Sequence, residues 1–237
     1  MKQTNQNLLL TAGAGLLGLL LRVLLYRTGF DGKGILSASN PLHLICLGLT
    51  AAMAVYLFFR VRGTAGPAEN HTLRLSAGVL AGVLLLLYGI GQLADLSGPL
   101  TALRCALALA GALAIVLSVC IRVRSGTMHM VCHGLICVFF ALDMLCRYRG
   151  WSGNPQLPDY CFHVLAGVCL SLCSYHRLAL DTGLGKHRSH SFACLMALYL
   201  CLLCLAGPES REFYLGGALW AAACLFTPEK EEPHVSA

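Results

Sequence analysis

Charge is what this sequence has least of. Only 12% of its 237 residues are Asp, Glu, Lys or Arg, about half the share typical of soluble domains. So few charges could not cover the surface of a soluble protein of this length, so a soluble domain is excluded. Acidic groups are scarcer than basic ones, eleven against seventeen. The basic residues fall between apolar runs instead of forming a stripe on a soluble surface. That argues against a nucleic-acid partner and for contact with lipid headgroups. The loops hold almost none of the thirteen cysteines, and the number is odd, so the chain is not a secreted disulfide framework. No P-loop, no Ser/His/Asp order and no HExxH pattern occurs. No stretch carries a signature that names a family, and nothing calls for a cofactor.

What is present is apolar length. The hydrophobic share is 57% and the mean hydropathy +0.70. Eight apolar segments stand out: Leu8–Tyr26, Pro41–Phe59, Leu75–Ala94, Leu103–Ile121, Thr127–Cys146, Tyr160–Leu180, Ser191–Ala206 and Phe213–Phe226. The first six approach the roughly 20 residues a spanning helix needs. The last two are shorter and read as short spans or as a re-entrant hairpin turning at Gly207 and Pro208. The first segment lacks a small-residue cleavage site and is read as a retained helix. The expected fold is therefore all-α: a polytopic transmembrane bundle of about eight spans, six at the least, in one domain over residues 1–227. A disordered tail over 228–237 is expected to follow.

With eight spans, Lys and Arg number ten on the side of the termini and seven on the other. That bias places both termini in the cytoplasm, with the plasma membrane as the expected location. The halves 1–124 and 125–227 also echo one another. Tyr26 and Arg27 close the first segment as Tyr148 and Arg149 close the fifth, and a histidine, His43 or His163, starts the segment after each. An even number of helices per half would make this a 4+4 parallel repeat, a plan known in transporters.

Several motifs have a plain structural reading. Gly13, Gly15 and Gly18 fit the GxGxxG dinucleotide fingerprint, which needs a strand before it and a watery βαβ unit around it. Inside an apolar run, small residues instead let helix backbones approach closely, as do Gly78 and Gly82 on the third segment. Cys201 and Cys204 have redox spacing, but no charge lies beside them to form a thiolate.

Ionisable groups inside the membrane are the best pointers to function, because burying them is costly. Tyr88, Gln92 and Asp95 share one face of the third segment. On the fifth, His129, His133, Asp143 and Arg147 lie within about 40° of one line at about 100° per residue. His129 and His133 have the i, i+4 spacing of metal ligands but no third ligand, so they are weak candidates and no metal is expected. The depth of each residue along its helix predicts a polar pocket on the non-cytoplasmic side, lined by Tyr88, Gln92, Asp95, Asp143, Arg147, His43 and His163. Arg104 and Arg147 would supply the countercharge. The alternative is two separate pairs, Asp143 with Arg147 and Asp95 with Arg104.

Three functions fit such a chain. The leading one is transport or binding of an unidentified small molecule. A membrane-embedded enzyme acting on lipid through Asp95 and Asp143 is the second, and an accessory subunit of a membrane complex the third. The bilayer is the one partner the composition names; the oligomeric state is not encoded in it.

Overall fold

The computed structural model describes residues 2–29, 40–61, 68–95, 98–120, 126–151, 157–207 and 210–227. The expected tail over 228–237 lies outside them. Eight helices follow one another: α1 Lys2–Thr28, α2 Pro41–Arg60, α3 His71–Gln92, α4 Pro99–Cys120, α5 Gly126–Trp151, α6 Leu157–Asp181, α7 His187–Cys204 and α8 Arg211–Cys224. Each matches one of the eight apolar segments, four of which run one or two residues past the end of their helix. Most of the helices begin a turn or so before their segment, because polar capping residues sit where water satisfies the free backbone groups. Asn40 caps α2 through the Leu42 amide, with Pro41 in the first turn. Asn70 caps α3 through the Leu73 amide.

Helices α1 to α6 are each long and apolar enough to cross a membrane, and the chain is a membrane protein. Consecutive helices run antiparallel. One end of the bundle, the near end, therefore holds the starts of α1, α3, α5 and α7. The other, the far end, holds the starts of α2, α4, α6 and α8.

Helices α3 to α8 pack in a closed ring, each against the next and α8 back against α3. Helix α1 lies on α7, and α2 lies on α1 and the flank of α7. The shorter helices α7 and α8 are the most deeply buried: Cys194, Ala197, Tyr199, Cys201, Leu203, Trp220 and Ala221 are wholly or almost wholly buried. Their turn reaches the level of Tyr26 and His163, both of which approach Gly207. The pair is thus a hairpin nearly as deep as the bundle, and α8 ends where Ala68–Glu69 (β1) pairs in parallel with Phe226–Thr227 (β2). Packed inside protein, α7 and α8 need not present the length and apolarity of a lipid-facing span. The outer helices α1 and α2 do face outward, through Leu9, Leu16, Leu20, Leu44 and Phe59.

Small residues set the helix spacing. A Cβ on Gly15 or Gly18 would come within 2.8 or 2.9 Å of Leu202 or Leu203 on α7, whereas Gly13 meets nothing. On α3, Gly78 and Gly82 accept Val119 and Val116 of α4 in the same way. Gly15 and Gly18 thus belong to a helix-packing face, and the first segment holds no nucleotide loop.

The halves do not share one neighbour pattern. Helix α6 packs along α7, but its counterpart α2 turns away from α3 to α1 and α7. The likeness of the two halves in loop residues does not extend to which helices are packed side by side.

Candidate functional site

The site at the far end is built around one carboxylate. Asp143 lies in α5, two turns before its end, and is 1% exposed. Its Oδ2 accepts from Arg147 Nε at 2.7 Å, one turn on along the same helix. Its Oδ1 accepts from Tyr88 OH of α3 and from Arg104 Nε of α4, both at 2.7 Å. The Arg104 guanidinium also donates to the Tyr88 oxygen. Three helices thus converge on one anion, and charge-assisted bonds of this kind are the strong ones.

Helix α8 closes the fourth side with aromatic rings. Arg147 lies 4.3 Å from the centre of Phe213, 5.5 Å from Tyr214 and 5.3 Å from Tyr88. A guanidinium desolvated over ring faces gains from their quadrupoles. From Tyr214 the polar network continues to α6, where its hydroxyl is 2.7 Å from His163 Nδ1. His163 also packs near Trp151 and Tyr160. Beyond it, Arg22 of α1 is fully buried, its guanidinium 4.9 Å over Phe162 and donating to Tyr26. One polar and aromatic seam therefore runs from α4 through α3, α5, α8 and α6 to α1, about one to two turns below the far end.

The structure joins Tyr88, Asp143 and Arg147 directly and brings in His163 through Tyr214. Gln92 is a turn beyond Tyr88 at the end of α3, partly exposed. Asp95 ends the 3-10 turn that follows α3, and its side chain lies outside the described residues. His43 is buried on α2 with its ring 5.8 Å from Phe162, at the α1 end of the seam. Arg104 is bound to Asp143 instead of standing in a pair apart from it. Both Asp143 oxygens are engaged by three donors, so this carboxylate is not poised as a free acid or base.

Sequence reasoning missed Phe213, Tyr214 and Arg22. Arg22 stands near the end of its apolar run, so it falls among the seven Lys and Arg of the side away from the termini. Its only distinguishing sign was that it lies inside the run, four residues before Tyr26. The chain matches no family model, no curated protein and no solved structure.

The near end has a second polar cluster. His133 of α5 sits with Nε2 3.4 Å from Asp181 of α6, and its ring lies 5.7 Å from that of Trp220. Arg177 Nε is 3.6 Å from the same carboxylate. Arg74 donates to the Ser118 carbonyl at 2.9 Å. His129 and His133 stack at 6.3 Å. Among the described residues, no three His, Cys, Asp or Glu groups are placed to hold a metal ion. Buried nearby, Cys173 and Cys194 have their sulfurs 3.2 Å apart as free thiols.

Proposed function

We propose that this protein binds, and carries across the membrane, a small organic acid at the Tyr88, Arg104, Asp143 and Arg147 cluster. The observation that carries the reading is Asp143 itself, a buried carboxylate gathering donors from three helices while α8 lays rings against Arg147. Helices can be held together by apolar packing without the desolvation such a set costs. Charged sets of this kind inside membranes mark ligand and ion pathways. Two guanidiniums share the one Asp143 carboxylate, and a ligand carboxylate has the shape and charge to join it on them. The rings of Tyr88, Phe213 and Tyr214 would receive its apolar part. The seam leading to His163 and Arg22 gives the ligand further polar groups along one level of the bundle.

The orientation proposed is termini inside, with the cluster toward the outer face of the plasma membrane. Burial of cations sharpens the charge asymmetry that supports it. Arg22, Arg104 and Arg147 belong to the interior network, as do Arg74 and Arg177 at the near end. Leaving these out turns ten against seven into eight against four, and it is loop cations that set orientation.

The test is a thermal-shift screen of the detergent-purified chain with acetate, lactate, succinate, benzoate and phenylacetate, followed by uptake of any responder into proteoliposomes. At least one acid should stabilise the native protein and be taken up, and Arg147→Lys should abolish both while the protein still inserts. If no acid shifts the native protein and Asp143→Asn changes stability alone, the cluster is a structural lock and the reading fails.

A further inference from the structure

A groove of about 480 Å³ opens on the lipid-facing side at the near end, away from the Asp143 cluster. It exists because α2 and α6 both flank α7 with little contact between them, the His43–Phe162 ring contact lying at the far end. Phe192 and Ala193 of α7 form its floor. Phe58 of α2 and Leu172 of α6 form its walls, both exposed. Its mouth is polar and basic, with Lys186 and Arg188 at the start of α7 and His176 near the end of α6. Arg188 reaches across the mouth. Its guanidinium lies 4.7 Å over the Phe58 ring and 3.5 Å from the Phe58 carbonyl.

No carboxylate is among the described residues that line the groove, and neither Lys186 nor Arg188 forms an ion pair among the described residues. Lys186 is the N-cap residue of α7 and gives no side-chain cap, so the first amides of the helix lack an intrahelical partner. Two exposed cations at a helix N-terminus oppose the helix dipole. An anion at the mouth would relieve that repulsion and accept from both side chains.

We infer that this groove is a binding site for one anionic glycerophospholipid, with its phosphate at Lys186 and Arg188 and an acyl chain over Phe192, Ala193 and Leu172. The apolar floor and the basic mouth lie at the two depths that an acyl chain and a phosphodiester occupy at a membrane surface. Neutral lipid satisfies the floor but not the mouth. A free anion satisfies the mouth but leaves the floor empty. The site is independent of the organic-acid reading, because it shares no residue with the Asp143 cluster.

The experiment is native mass spectrometry of the delipidated full chain in a neutral detergent, titrated with phosphatidylglycerol and with phosphatidylcholine of the same chains. One equivalent of phosphatidylglycerol should bind at least tenfold more tightly. The double variant Lys186→Glu/Arg188→Glu should remove that preference, and the charge-matched pair Arg27→Glu/Arg211→Glu, at the far end, should keep it. If the double reversal does not give a monodisperse protein, Lys186→Gln/Arg188→Gln carries the same expectation. A phosphatidylglycerol with a photoreactive acyl chain should crosslink to peptides containing Leu172 or Phe192. Equal binding of both lipids, a preference that survives the double variant or falls equally in the control pair, or crosslinks elsewhere would each overturn the site. Full displacement of the lipid by equimolar glycerol phosphate would show an anion site without a lipid site, and would overturn it too.

Discussion

Asp143 carries more of the far-end architecture than any other side chain. Replacing it by Asn keeps the shape and removes the charge that Arg104 and Arg147 share. Breaking a buried ion pair from one side costs about 3–5 kcal/mol, so Asp143→Asn should lower the unfolding temperature clearly in detergent. Removing the whole set is a different matter. A Tyr88→Phe, Arg104→Met, Asp143→Leu, Arg147→Met variant leaves no charge stranded, and should recover most of the stability lost in the single variant. It should also lose any response to organic acids. Thermal unfolding of the two variants side by side measures the first expectation. A quadruple variant less stable than Asp143→Asn would mean that the polar set is needed for folding.

For the helices, spacing is the governing quantity. Gly18 lets α1 lie on α7, and a larger side chain there would meet Leu203 and the Tyr199 hydroxyl. Overpacking of that kind costs about 1–3 kcal/mol. Gly18→Leu should therefore destabilise the protein by that amount, whereas Gly13→Leu, five residues earlier on an exposed face with nothing near it, should be neutral. Resistance to unfolding by SDS, read for both variants, checks the pair. Such a stripe was legible in the sequence because closely spaced small residues in an apolar helix have one common use. Which glycine of the stripe makes the contact was not, since Gly13 and Gly18 look alike until the partner helix is placed.

Across the whole molecule, the near end is the one expected to face the cytoplasm. Cys120, the last residue of α4 at that end, is the one exposed cysteine of thirteen, the others being buried or half-buried. A membrane-impermeant maleimide should label it rapidly in inside-out vesicles and not in intact cells, and Cys120→Ser should remove that signal. Labelling of Cys120 from outside the cell would reverse the orientation.

The sequence by itself determined the eight helices, their alternating direction and the depth of most polar residues, Arg22 being the exception. Hydropathy acts locally and in one dimension, so a run of apolar residues declares a helix wherever it sits. Depth follows from counting along it. That was enough to bring Asp143, Arg147, Tyr88 and His163 to one level and to name Arg104 as countercharge. The tertiary structure alone decided neighbours. Asp143 meets Arg104 and Tyr88 because α4 and α3 flank α5 in the ring. Phe213 and Tyr214 join them because α8 folds inward. Lipid is as apolar as the protein interior, so hydropathy cannot tell a face turned to lipid from one turned to another helix. Side-chain fit and polar pairing between helices make that choice, and they appear only once the helices are packed.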